Sequence, residues 1–373
     1  MKLFKRRRNV GESVLTLKMW RFTGAAILNL IILMLLTVYV LPLLYMGVTS
    51  LKEPDQVSAG LNAPLYPAAV VQVRYQGGEY PLMEVPTKDG IQQWAMIETH
   101  RTYSEFIDPQ DPDQGLIRWD GYWGSLKNVY TFQLTFDSFN SWKEADVPLG
   151  MLNTLIVIVI TEVGVLATSI AVAYGFSRFR IPGGKWLFFL LIATILIPDS
   201  ITLIPTYRTY YNLLHIWLPR QSFLQSSFPI PWNWLPLIAP HFFSSAIFVF
   251  LLRQNFLSIP RDLDEAAMLD GAGPLRILIQ IILPQSIPVV ATVAMLHFFY
   301  IWNEFRISGM YLGANTNFWL LAARVQNGQP MLGVNPEPSI QSGALILMIV
   351  PILVLLAFQR FFMQDMAVTG LEK

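Results

Sequence analysis

The sequence predicts an all-α polytopic membrane protein of six transmembrane helices, with a β-rich insertion between the first and second. Three observations carry that expectation. Across 373 residues the chain is 53% hydrophobic and only 14% charged, whereas ordinary soluble domains are about 25% charged. Six apolar runs lie close to the ~20 residues needed to cross the hydrocarbon. Between the first two runs the sequence becomes acidic and aromatic, with alternating β-formers.

Taken in order, residues 1–22 form a basic segment with Lys2, Lys5, Arg6, Arg7, Arg8, Lys18 and Arg21. Residues 23–48 carry no charge and form the first span. This run is too long, and followed by too many others, for a cleaved signal peptide, so it is expected to be an uncleaved anchor. Residues 49–150 form an extracytoplasmic loop and insert. Within it, 68–75 and 80–85 alternate, with Gly77-Gly78 between them as a hairpin signal, and 91–97 supplies a third strand. Asp108-Pro109, Asp111-Pro112 and Asp113 mark a turn-rich stretch. Trp94, Tyr103, Trp119, Tyr122 and Trp123 are available for a small core. The chain has no cysteine, so this insert must hold itself together by packing.

The remaining spans fall at 151–176, 186–203, 235–252, 287–305 and 340–362, within a core of 151–363 and ahead of a tail at 364–373. Pro198, Pro205, Pro236 and Pro240 interrupt the helical pattern of the third and fourth. Placing both termini in the cytoplasm puts fifteen Lys and Arg of the short segments inside. It leaves four outside: Arg208, Arg220, Arg306 and Arg324. That asymmetry sets the orientation. The long loop, with fourteen Asp and Glu against seven Lys and Arg, agrees. An inner (plasma) membrane location follows.

Residues 253–284, between the fourth and fifth spans, are about thirty residues where a handful would suffice for a turn. Ser258 is expected to cap a helix that has Pro260 in its first turn. Asp262, Asp264 and Glu265 complement the positive end of its dipole. Leu263, Ala266, Ala267 and Asp270 share one slim face. Gly271 can adopt the left-handed conformation that ends a helix, and Gly273-Pro274 restarts one that runs to Pro284. The expectation is a helix, a sharp turn and a second helix, offering a docking surface to a cytoplasmic partner.

At these residues a resemblance becomes specific. Glu265-Ala266-Ala267, Asp270-Gly271-Ala272 and Ile282-Leu283-Pro284 resemble the EAA loop of ABC importer permeases. Leu252-Arg253-Gln254, Ser258-Ile259-Pro260 and Asn153-Thr154-Leu155 resemble the carbohydrate-importing, maltose-type branch. So do the run from Ala173 to Arg178 and Trp302-Asn303-Glu304-Phe305. The similarity covers roughly 20–55 and 134–373, and the segment between does not match the usual pattern. The resemblance implies a heterodimer with a second permease, a solute-binding protein outside and a sugar substrate. It also implies a cytoplasmic ATPase dimer whose clefts receive the helix pair. In that reading Glu265, Ala266, Ala267, Asp270, Gly271, Ala272 and Pro284 form the coupling element. Trp302, Asn303 and Glu304 are candidates for the translocation pathway.

Glu162 is a further pathway candidate. It lies eleven residues past Met151, about 16 Å along the helix and near the midplane. An ionisable group there is costly, about 2.5–3.5 kcal/mol for Asp on insertion scales. Glu162 could bond a polyol, pair with a cation on a neighbouring span, or sit protonated as a structural donor. Catalytic chemistry is not indicated. Gly183-Gly184-Lys185 lacks the spacing of a phosphate-binding loop. ATP and Mg are therefore expected on the partner ATPase, with no cofactor in this chain. His100, His215, His241 and His297 show no metal-ligand spacing, and His297 reads as a cavity or packing residue. Nor is there a basic stripe for nucleic acid. Two other readings are a permease for an osmolyte, peptide or anion, and an ion-coupled secondary transporter. The latter would be expected to show internal repeats, and none is evident.

Overall fold

A forty-residue helix, α1 (Val10–Thr49), opens the described part of the chain. The computed structural model describes residues 10–87, 90–144, 146–213, 234–312, 316–328 and 337–369. The basic cluster from Lys5 to Arg8, Arg220, His215 and Lys373 lie outside the described residues. By its contacts the chain divides into two units, Met1–Ser138 and Phe139–Lys373.

In the first unit, α1 is apolar all round from Phe22 to Thr49, and its leucines and isoleucines face outward. A helix of that kind suits lipid rather than water. Ser50 Oγ then donates to the Gly47 carbonyl at 2.9 Å, and the chain leaves the helix for the insert. The buried Gln56 satisfies all three of the backbone groups around it. Its amide donates to the Pro64 and Tyr66 carbonyls at 2.9 and 2.7 Å, and its oxygen accepts from Ala68 N–H at 2.9 Å.

Eight strands follow, more than the three that alternation predicts. β1 (Ala68–Val70) pairs with β8 (Tyr130–Phe132) in a small sheet of their own. An antiparallel meander runs through β2 (Gln72–Tyr75), β3 (Gly78–Thr87), β4 (Gly90–Thr99), β5 (Tyr103–Ile107) and β6 (Ile117–Asp120). β7 (Lys127–Asn128) continues the β2 edge of β3. The expected strand 68–75 is thus two strands in two sheets. The hairpin turn sits one residue earlier than Gly77-Gly78. Gln76 (φ +47) and Gly77 (φ +88) are its central pair, as the twist of a two-residue turn demands. Met83, Val85, Phe106 and Leu126 form the core, with Trp94 and Trp119 packed against it. Tyr122 and Trp123, expected inside, stay exposed on a short turn.

The second unit is built around α2 (Val147–Arg178). Gly150, Asn153, Thr154, Val157, Ile158, Thr161, Gly164 and Val165 face inward at spacings of three and four, one stripe of a helix. α3 (Gly184–Ala193) ends in a 3-10 turn, and Pro198 caps α4 (Asp199–Asn212). The single span expected at 186–203 is therefore two helices, because Pro198 cannot continue the first. The fourth span is also broken. Leu235–Ile238 and Ala239–Phe243 are short turns begun by Pro236 and Pro240, Ser244 has φ +64, and α5 (Ala246–Ser258) completes it.

Ser258 ends α5, with its hydroxyl on the Asn255 carbonyl, and does not cap the next helix as expected. The loop holds α6 (Asp262–Leu269) and α7 (Pro274–Ile277), extended by a π turn at Leu278–Ile282. The stretch Pro274–Gln285 meets α8 (Ile287–Trp302) at 82°. α9 (Arg306–Leu312), α10 (Leu321–Gly328) and α11 (Glu337–Thr369) complete the unit, and α11 runs past the predicted end at 362. Among the described residues, four helical stretches are long and apolar enough to cross a membrane, or six when each bent pair counts once.

Two apolar cores hold this unit together. One gathers Val157, Ile158, Leu237, Ile301, Trp302 and Leu321. The other gathers Val165, Tyr174, Val249, Leu252, Ile277 and Val293.

Candidate functional site

The helix pair is anchored far more firmly than its charged sequence suggests. Asp264, in the first turn of α6, is buried and lies 2.9 Å from Arg178 Nε at the end of α2. Their side chains are 8% and 6% exposed. Arg178 Nη2 also donates to the Ile259 carbonyl at 3.1 Å. The last-turn carbonyls of α2, which have no partner within the helix, are taken by arginines of α5 and of the loop after it. Arg253 Nε donates to Phe176 O at 3.4 Å and Arg261 Nη2 to Ser177 O at 3.2 Å. Tyr174 OH donates to Pro274 O at 3.0 Å, which fixes the start of the second helix as well.

Between the two helices the turn is made as the sequence predicts. Gly271 has φ +78. Its N–H bonds to Met268 O at 3.0 Å, while Ala272 N–H bonds to Ala267 O at 2.9 Å. That pairing is a Schellman turn, which uses orphan carbonyls of the helix end. Ala267 and Ala272 pack together against the core beneath.

Glu265, Ala266, Asp270 and Pro284 face outward. So do Leu263, Met268, Leu275 and above all Leu269, at 91% exposure. The exposed surface of a pinned helix pair thus sets large apolar side chains among the acids Asp262, Glu265 and Asp270, and exposed apolar groups held in one place suit a docking face. Asp264 is missed as a site residue by sequence reasoning, since an acid in a first turn looks like a dipole effect. Arg178 at the end of the Ala173 to Arg178 run was the available signal.

The polar interior lies elsewhere, between the two apolar cores. Glu162 Oε2 on α2 is 2.7 Å from His297 Nδ1 on α8. His297 Nε2 is 3.1 Å from His241 Nδ1 in the 3-10 turn of the broken span. Each residue is flanked along its own segment by one core on one side and the other core on the other: Ile158 and Val165, Ile301 and Val293, Leu237 and Phe248. Glu162 thus meets a histidine of a neighbouring span. His297 is 1% exposed and is the middle link of this chain. The ring of Phe242, next to His241, lies over Gly164 of α2. A Cβ on Gly164 would sit 2.8 Å from the Phe242 ring. Among the described residues no three His, Asp or Glu side chains gather as a metal cage.

The other pathway candidates separate. Asn303 is exposed at the end of α8, its amide on Phe299 O at 2.8 Å. Trp302 is buried, stacked on Phe298, with Nε1 donating to Leu347 O at 2.8 Å. Glu304 is buried and accepts from Ile307 N–H at 2.6 Å, which opens α9. Trp302 is thus held by packing and a backbone hydrogen bond, and Glu304 caps α9. Asn153 and Thr154 brace the other end of α2. Asn153 Nδ2 donates to the Asn317 and Trp319 carbonyls at 2.8 and 3.1 Å, and Leu321 N–H donates to Thr154 Oγ1 at 2.8 Å.

A family model described as "Binding-protein-dependent transport system inner membrane component" matches residues 164–368, more than half of the chain. The chain belongs to this family. The matched region takes in the helix pair, the broken span and α8. Among the permease's relatives, the osmoprotective compounds uptake permease protein GgtD of Synechocystis sp. is 30% identical, over 75% of this chain and 90% of the relative. The diacetylchitobiose uptake system permease protein NgcG of Streptomyces coelicolor is 28% identical, over 59% and 68%. The alpha-glucoside transport system permease protein AglG of Rhizobium meliloti is also 28% identical, over 60% and 56%. A solved bacterial ABC transporter involved in the import of the acidic polysaccharide alginate has the same fold. The likeness has a TM-score of 0.57 at 16% identity and covers 96% of this chain and 99% of that one. The protein is a multi-pass inner-membrane permease subunit of an ABC importer.

Proposed function

We propose that this permease imports a carbohydrate, paired with a second permease subunit and fed by an extracytoplasmic solute-binding protein. The bundle crosses six times, each bent pair counting as one crossing, with both termini in the cytoplasm and the insert outside. ATP and Mg are held by a separate cytoplasmic ATPase dimer, and this chain carries no cofactor of its own. The energy reaches the bundle through α6 and α7. Glu265 and Ala266 meet the ATPase, Ala267 and Ala272 seat the pair on the core, and Asp270 and Gly271 form the bend. Pro284 sits at the 82° corner to α8. The pathway runs past Glu162 and Asn303.

The observation that carries this reading is a tied helix pair whose outer face exposes large apolar side chains among its acids. Exposed Leu263, Met268 and Leu269 beside Glu265 are of no use to a soluble turn, and such patches mark sites of protein contact. The carbohydrate assignment is supported by the sugar-branch motifs and by relatives named for diacetylchitobiose and alpha-glucoside uptake. The test joins two measurements on the purified assembly. A cysteine at Ala266 is expected to cross-link to the ATPase subunit, and a neutral oligosaccharide presented by the binding protein is expected to stimulate ATP hydrolysis. No cross-link, or stimulation only by amino acids or inorganic anions, would sink the respective half.

A further inference from the structure

The Glu162–His297–His241 chain ends in an unused hydrogen-bonding atom. His297 is enclosed, its Nδ1 on Glu162 Oε2 and its Nε2 on His241 Nδ1. His241 is only partly buried, and its Nε2 has no hydrogen bond among the described residues. At the other end Glu162 Oε1 is buried without a partner, and the carboxylate side chain is 20% exposed. We propose that His241 is a substrate-contact residue that binds a hydroxyl of a neutral polyol in the membrane interior, with Glu162 and His297 as positioning residues. This inference rests on the carbohydrate reading above.

The chemistry of the chain selects that ligand class. A carboxylate accepts, so it fixes a proton on His297 Nδ1. If His297 is otherwise unprotonated, its Nε2 accepts from His241 Nδ1–H, and the outer His241 Nε2 is an acceptor. If His297 carries both protons, His241 Nδ1 accepts and the outer Nε2 donates. A hydroxyl serves either arrangement, because it both donates and accepts. A carboxylate or phosphate ligand suits only one of them. Rings stand ready for the apolar faces of a sugar. Tyr300 lies 5.9 Å from the His241 ring, and Phe242 and Phe243 beside it are exposed.

The backbone delivers His241 at some cost. Ser244, three residues on, holds φ +64 with ψ 168, a region that side chains other than glycine rarely occupy. A plain helix through 235–258 would need neither that strain nor the break at Pro240. An ionisable chain at this depth is also expensive as mere packing.

The experiment uses the complete transporter, with its ATPase and binding protein, in lipid vesicles. Uptake of a radiolabelled neutral disaccharide identified from a panel of maltose, trehalose, sucrose and chitobiose is compared with that of its deoxy analogues. In the wild type, removal of one particular hydroxyl is expected to raise KM by about tenfold, the loss of one hydrogen bond. His241→Ala should raise KM for the intact sugar by a similar factor and abolish the penalty for that deoxy analogue. His241→Gln, which restores a polar atom near the Nε2 position, should recover most of the affinity. Glu162→Gln should shift KM in the same direction through the tautomer of His297. A His241→Ala variant with unchanged KM, or one as impaired as His241→Gln with a uniform loss of rate, overturns the proposal and leaves His241 structural. Uptake of no panel sugar by the wild type overturns the carbohydrate reading, and this inference with it.

Discussion

Arg178 and Asp264 show how one pair of residues sets the mechanics of the helix pair. Two buried charges at 2.9 Å are costly to desolvate, and removal of one alone leaves the other stranded at about 3–5 kcal/mol. Asp264→Asn is therefore expected to lower the melting temperature of the purified complex clearly, because Arg178 stays buried with only a neutral neighbour. Replacing both by leucine should recover most of the thermal stability while ATP hydrolysis remains poorly coupled to uptake. A single variant as stable as the wild type would mean that the pair contributes nothing to anchoring. Gly271 is the other decisive residue. At φ +78 a leucine is strained, although no atom lies within 4 Å of its would-be Cβ. Gly271→Leu should thus assemble yet lose transport, with basal ATPase retained; Gly271→Asn, which tolerates that conformation better, should keep part of it. Equal uptake in the leucine and asparagine variants would show that the turn geometry is immaterial.

At the scale of elements, the breaks matter more than the helices. Pro198, Pro236 and Pro240 stop or start segments where hydropathy alone reads an unbroken span. One of these breaks carries His241 into the interior. The helix pair was legible in some detail because its signals are local: acidic first turn, glycine at the end, glycine and proline at the restart. Its start was misplaced by three residues because Ser258 is a good cap by type, yet it is the last residue of α5. In the insert, alternation found the first of the strands, β1 to β4. It missed β5 to β8, which are short or lie on the edge, and it joined β1 to β2 because a chain that changes sheets keeps its alternation. Aromatic content was read as core, whereas Tyr122 and Trp123 sit exposed in a turn, packed on each other.

For the whole molecule, the insert and the permease unit are separable in construction. The six-stranded sheet closes on its own core of Met83, Val85, Phe106 and Leu126, and the strand pair β1–β8 gathers its two ends. Deleting 62–130 with a short linker between those ends is expected to leave the membrane bundle folded and the ATPase assembled. Uptake that survives the deletion at full rate would assign the insert no part in transport. A rise in the KM for the loaded binding protein, at unchanged basal ATPase, would make it a docking surface for that protein.

Composition, run length and charge asymmetry determined the membrane class, the position of the insert and the site of the helix pair, since each depends only on residues near one another in sequence. The triad of Glu162, His297 and His241, the clasp of Arg178 on Asp264, and the burial of Trp302 and Glu304 joined residues from 3 to 135 positions apart. Of these only the capping bond of Glu304 is local. For the rest, which helix faces which was decided by packing of the folded bundle, and no periodicity along one segment encodes the identity of its neighbour.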